Sequence, residues 1–226
     1  MIMIEDTQLY AIKLTIQIAL ISTCIVSVIG MGIGYILATK KIKFKIILDI
    51  IITLPLILPP TVIGYYLLVL FGKHGFVGKI LFNISGYSIL FTKEACVLTS
   101  CIITLPLMIK SAEIAFKSID KKLIKFSHML GYSELTILFK IILPLSKNGL
   151  LSGIALSFCR SIGEFGASMM ISGNIPGKTN TIPITIYALV MNGELGKAHT
   201  LVIIITLITI VSLYSIRMLE NQFHEQ

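Results

Sequence analysis

The residues that could do chemistry in this chain are few, and the most informative are charged rather than nucleophilic. Arg160 and Glu164 stand four apart inside an apolar run from about Asn148 to Ile171. In a helix that spacing places both on one face, where they can pair. An unpaired charge at mid-membrane costs at least about 2.5–3.5 kcal/mol, so such a pair is retained for a reason. Two readings stay open: Arg160 lines or gates a path for an anion, or the pair locks helix packing between subunits. Gly163 and Gly166 flank it and permit close helix approach. The histidines, His74, His128, His199 and His224, are scattered among loops and ends, so no acid–base or metal centre is expected. Cys24, Cys96, Cys101 and Cys159 fall in apolar runs and read as small buried hydrophobes. Cys96 and Cys101 are five apart with no His or acidic partner, which is poor metal spacing. No catalytic residue, bound cofactor or metal ligand is therefore assigned to this chain.

Two further segments carry specific physics. Pro55, Pro59 and Pro60 interrupt an apolar stretch from Ile50 to Gly72. A proline inside a helix removes a donor and frees a carbonyl one turn earlier, so carbonyls near Pro55 and Leu56 are expected to lack partners. Broken backbone at membrane depth is tolerated where it is buried in protein or lines a wet cavity. Pro59, Pro60 and Thr61 are thus candidates for a pathway, against a kink that only serves packing. The second segment, Lys110 to Lys147, is polar and rich in lysine between two apolar spans. Ile119, Leu123, Phe126 and Leu130 recur at helical spacing with Lys117, Lys121, Lys122 and Lys125 between them, an amphipathic helix. Gly131 can stop it in a left-handed cap, Ser133 can cap a short second helix with Glu134 in its first turn, and Pro144 ends the segment. The segment reads either as a docking platform for a partner or as an ordinary interfacial helical hairpin.

The elements that position these residues must cross a membrane. The chain is 55% hydrophobic and 13% charged, with mean hydropathy +0.93, whereas soluble domains carry roughly 25% charged residues. Spanning needs roughly 20 apolar residues. The expected spans are 14–39, 50–72, 93–110, 148–171 and 198–216, within one domain over 11–217, with a connecting platform over 111–147. Lys93, Glu94 and Lys110 are expected to snorkel at the ends of the third span. Ile80 to Thr92 and Pro183 to Met191 are apolar but too short to span. Twelve basic residues fall on the platform side of these spans, including Lys40, Lys41, Lys43, Lys45 and Arg217, against six on the other. That bias places the platform in the cytosol, the N-terminus outside and the C-terminus inside. Met1 to Tyr10 holds Glu5 and Asp6 and no basic residue, so the first span is expected to be retained rather than cleaved. The net charge of +8 lies beside apolar spans and argues for lipid contact, not nucleic acid.

Several stretches resemble a known family. Gly131, followed after nine residues by Ile141-x-Leu143-Pro144, resembles the cytosolic loop of ABC importer permeases that seats in a groove of the ATPase subunit. The resemblance assigns that contact to Gly131, Tyr132, Ser133, Glu134, Leu135 and Thr136, with Ile141, Leu143 and Pro144 completing the motif. Lys125-Phe126-Ser127 stand where the family has Glu-Ala-Ala. The run Arg160-Ser161-Ile162-Gly163-Glu164-Phe165-Gly166-Ala167 resembles permeases for tetrahedral oxyanions. Leu54 to Leu68 and Gly173 to Pro183 resemble those of molybdate importers. The resemblance covers about Leu14 to Ile216. It implies an all-α type I ABC importer permease core of about five helices in the plasma membrane of a prokaryote. It also implies a homodimer, separate cytosolic ABC ATPase subunits that hold the ATP, and an extracytoplasmic molybdate-binding protein. Asn174 to Pro183 reads as an outer loop rich in turn formers, either a plain structured loop or the contact for that protein through Asn174, Pro176, Gly177, Thr179 and Thr181. The chain has no Gly-x-x-x-x-Gly-Lys-[Ser/Thr] sequence. The alternatives are the same machine for sulfate, thiosulfate or tungstate, an integral membrane enzyme, or a stand-alone secondary transporter. The last would normally show an inverted repeat, and none is visible.

Overall fold

The computed structural model describes residues 6–222. Glu5, His224 and the side chain of Arg217 lie outside the described residues. The elements, in order, are α1 (Asp6–Thr39), α2 (Lys45–Ile57), α3 (Pro60–Phe71), α4 (Phe76–Ser85), α5 (Lys93–Lys117), α6 (Lys121–Met129) and α7 (Glu134–Ile137). A π-helical turn (Leu138–Ile142) then leads to α8 (Leu143–Leu145), α9 (Lys147–Ile162), α10 (Gly166–Ser172), α11 (Ile182–Met191) and α12 (Leu195–Gln222). Among the described residues, α1, α5 and α12 are each long and apolar enough to cross a membrane. Counting each of two bent helix pairs as one span makes five.

The centre is α5, held between α1 and α9. In lipid the packing of apolar helices is driven by close van der Waals contact, which small residues permit. A Cβ on Gly34 of α1 would stand 2.7 Å from Ala112 Cβ and 3.0 Å from the Glu113 nitrogen, and one on Gly153 of α9 would stand 2.7 Å from Ser111 Cβ. Gly30 and Gly149, one turn from each, meet Met108 and Ala115 as tightly. Two small-xxx-small stripes therefore grip the same stretch of α5 on neighbouring faces. The flanking Gly163, expected to serve close approach, has nothing nearer than 4.0 Å around its Cβ position.

Directions follow from named contacts. Tyr10 stacks on Lys93 at the start of α5, with the amine 5.7 Å from the ring centroid, and Tyr35 meets Phe116 at its end. So α1 and α5 run parallel. Gly149 against Ala115 makes α9 antiparallel. Leu201 packs with Ala11 and Ile182 near the start of α12, and Ser212 and Ser215 share a groove with Ser27 and Val28 towards the end of α1. The far end of α12 therefore lies on the face opposite the start of α1. The 25 residues of α5 separate the two faces by about 37 Å. Cys24 is exposed in this same groove, not buried as expected; Cys96 is buried, and Cys101 and Cys159 are half-buried.

Three expected boundaries change. The third span continues past 110 to Lys117, because Ala112, Ala115 and Phe116 extend its buried face. The second span is not one kinked helix: α2 and α3 meet at 107°. A residue before proline is disfavoured in the α conformation, and Leu58 and Pro59 are both extended, with ψ of 145° and 134°. The fourth span, expected from 148 to 171, stops at Ile162 and restarts at Gly166.

Candidate functional site

The break between α9 and α10 corrects the expectation that Arg160 and Glu164 share a helix face. Arg160 sits in the last turn of α9, and Glu164 lies in the three-residue gap. Arg160 Nη1 donates to Glu164 Oε2 at 2.9 Å, and the Ala167 amide donates to Glu164 Oε1 at 3.0 Å. One carboxylate thus joins the end of one helix to the first turn of the next. A side chain that accepts a backbone N–H offers the chain an alternative to helical continuity. The Glu164 side chain is 2% exposed and that of Arg160 31%.

The second break meets this one. Pro60 occupies the first position of α3, where a missing N–H removes no helical bond. Val62 and Ile63 then donate to the Pro59 carbonyl. Gly166 lies against this corner: a Cβ there would be 3.1 Å from Pro60 Cβ and 3.3 Å from Thr61 Cγ2. The pathway candidates Pro59, Pro60, Thr61, Arg160 and Glu164 are therefore brought to one region by the packing of α3 on α10. Pro59 and Thr61 are exposed, Pro60 is half-buried and Glu164 is buried.

Sequence reasoning missed the hydroxyls that hold this region. Ser161 pairs with Ser22 of α1 at 2.7 Å, Ser168 with Thr99 of α5 at 2.8 Å, and Cys96 Sγ donates to Ser172 Oγ at 3.1 Å. The signal was present as Ser168 and Ser172 one turn apart on an otherwise apolar stretch.

It also missed a second charged cluster. Glu113, whose side chain is 6% exposed, accepts from Lys45 at 2.7 Å, Lys117 at 2.6 Å and Lys110 at 3.3 Å. Lys110 also reaches Asp49 at 2.8 Å, and Lys45 the Leu37 carbonyl at 3.0 Å. Lys110 is therefore an ion-pair partner and not a snorkelling end. These contacts tie α2, which has no buried residue, to α5 and to the end of α1.

At this same end lies the platform. Asp120 caps α6 through the Lys122 amide. Gly131 has φ +82°, the left-handed turn expected of it, and the Ser133 hydroxyl accepts from the Thr136 amide at 3.3 Å, capping α7. The helical run then continues through the π-turn to Leu145, with the Leu143 amide donating to the Leu138 carbonyl. Pro144 lies within the last turn, and the chain bends by 72° into α9. Ile119, Ile137 and Ile142 anchor the segment in a core with Phe116 and Leu150. The expected apolar stripe is split: Lys117 ends α5, Ile119 precedes α6 and is buried, and Leu123, Phe126 and Leu130 are exposed. Tyr132, Leu135 and Phe139 are exposed beside them. Gly131, Ser133, Glu134 and Pro144 are also at the surface, while Thr136, Ile141 and Leu143 are half-buried.

At the opposite end, residues 173–181 form an internally braced loop. The Thr179 hydroxyl bonds the Ile175 amide and the Gly173 carbonyl, and the Gly177 amide donates to Asn180 Oδ1. Asn174, Pro176 and Gly177 are exposed; Thr179 and Thr181 are buried, so of the expected contacts only the first three present a surface.

Comparison with known proteins agrees with this layout. Residues 30–224 match the family described as "Binding-protein-dependent transport system inner membrane component". The chain is 35% identical over 214 residues to the molybdenum transport system permease protein ModB of Escherichia coli (strain K12), covering 94% of this chain and 93% of that protein. It is 36% identical over 207 residues to ModB of Haemophilus influenzae, covering 91% and 90%. A solved structure of the methionine ABC transporter MetNI in an inward-facing conformation matches with TM-score 0.73 at 16% identity, over 97% of this chain and 99% of that one. A bacterial ABC transporter involved in alginate import matches with TM-score 0.78 at 13% identity, over 97% and 80%. At such identities the last two establish a shared fold.

Proposed function

The chain belongs to the family of inner-membrane components of binding-protein-dependent transport systems, and from that premise we propose that it is the membrane-spanning permease of an ATP-driven importer for molybdate. The observation that supports this most is similarity to molybdenum transport permeases along nearly the whole chain. The two helix breaks that converge on Arg160, Glu164, Pro60 and Thr61 supply the physical means. A guanidinium at membrane depth, neutralised on one edge only and 31% exposed, can attract an anion without holding it permanently.

In this reading two copies of the chain enclose the path, since one leaves Pro59, Thr61 and Arg160 open to its surroundings. The exposed Leu123, Phe126, Leu130, Leu135 and Phe139 seat in separate ATPase subunits, which bind the ATP; this chain holds no cofactor. Buried Ile137 and Ile142 pass the movement of those subunits to α9. The opposite end, through Asn174, Pro176 and Gly177, receives a molybdate-binding protein outside the membrane. The lysine bias sets the N-terminus outside and the C-terminus in the cytosol.

Vesicles containing the chain, its ATPase subunit and its binding protein test the whole reading. Molybdate should accumulate only when ATP is supplied, and uptake without the ATPase would overturn it. Competition with tungstate and sulfate in the same vesicles separates the molybdate reading from its oxyanion alternatives.

A further inference from the structure

The corner between α1 and α2 contains more lysine than its carboxylates neutralise. Lys45 and Lys110 are engaged by Glu113 and Asp49. Lys41 and Lys43, one turn or less before α2, are exposed and have no ion pair among the described residues. Beside them lies an open slot of about 360 Å³ lined by Ile42, Lys43, Phe44, Ile47, Leu48 and Ile51. The slot is almost wholly apolar, and Lys43 stands at its rim. It begins where the chain is polar and runs along α2 towards Ile51, which is 63% exposed and lies within the apolar stretch read as membrane-spanning.

We infer that this corner is a binding site for an anionic phospholipid, with the headgroup phosphate on Lys41 and Lys43 and an acyl chain along Phe44, Ile47 and Ile51. Charge and depth together select that occupant. A zwitterionic lipid would leave both amines without a net counter-charge, and a soluble anion would leave the slot empty. Basic residues at the membrane surface attract anionic lipid in proportion to their number. The ion pairs of Glu113 and Asp49 hold α2 in place, so the slot persists without a ligand. The inference does not depend on which substrate is carried.

Native mass spectrometry of the assembled transporter, released from nanodiscs of phosphatidylcholine and phosphatidylglycerol in equal parts, tests it. The chain should retain phosphatidylglycerol in preference. Lys41→Gln/Lys43→Gln should lower that retention by about fivefold per lysine, and Lys41→Arg/Lys43→Arg should restore it. The charge-matched Lys73→Gln/Lys79→Gln, in the α3–α4 connection and in α4 at the opposite face, should leave it unchanged. Glycerol 3-phosphate, which has the headgroup chemistry without the chains, should not compete at millimolar concentration. Equal retention of the two lipids, equal loss in the two glutamine variants, or displacement by glycerol 3-phosphate would each overturn the site. If the glutamine variant fails to assemble, the competition between lipids in the native protein still decides.

Discussion

Glu113 and Glu164 are both buried carboxylates with cationic partners, yet the backbone treats them in opposite ways. Glu113 lies within the continuous α5, one residue after the Ala112 that Gly34 packs on, and three lysines converge on it from α2 and from its own helix. Glu164 lies in a gap between helices, with one arginine and one amide as partners. The first has surplus positive charge around it and ties three elements together. The second has just enough partners to close a break, and its arginine keeps a part-exposed edge. The contrast separates an anchor from an element that can change partners.

The contrast can be broken by experiment. The largest effect is expected from Gly34→Leu, which forces α1 off α5 beside Glu113; overpacking of this kind costs about 1–3 kcal/mol and occasionally more. It should abolish assembly or lower the melting temperature sharply in detergent. Glu113→Gln comes next. Breaking a fully buried pair costs about 3–5 kcal/mol, and the part-exposed lysines reduce this to about 2 kcal/mol. Thermal unfolding should show the loss, with transport per folded molecule largely kept. Arg160→Lys should do the reverse: it keeps a cation for Glu164, so melting stays near native, but it loses the planar guanidinium, and the initial molybdate uptake rate falls about tenfold, equal to about 1.4 kcal/mol on the barrier. A variant at Arg160 that melts early and transports normally would invert the comparison and make that pair the anchor. The smallest effect is Thr99→Val, which removes the hydroxyl bonded to Ser168 and should cost about 1 kcal/mol in unfolding, with a modest change in uptake.

Much of the architecture was legible from residues alone. The Gly131 turn and the Ser133 cap are local: a left-handed φ and a hydroxyl three residues before an amide need no distant partner. The apolar lengths of α1 and α12 were equally plain. What failed was the assumption of helical continuity across 50–72 and 148–171. Spacing of four suggested that Arg160 and Glu164 share a face, but the Ala167 amide takes the second carboxylate oxygen and the helix stops between them. The stripe of Leu123, Phe126 and Leu130, read as a face for a partner or the membrane, is exposed, while Ile119, Ile137 and Ile142 anchor the segment from outside α6. Thr179 looked like a loop surface residue and is instead the loop's internal brace.

The sequence by itself determined that this is a membrane protein, roughly where its apolar segments run, and that a capped platform interrupts them. Those properties are set by composition and by neighbours within a turn. Only the tertiary structure decided that Glu113 gathers lysines up to 68 residues away, that Gly34 and Gly153 grip one stretch of α5, and that Pro60 and Thr61 meet Gly166. In lipid, where apolar side chains gain little from hiding, position is decided by close backbone approach and by pairing of the few polar groups. Both are relations between distant segments, so one-dimensional spacing cannot contain them.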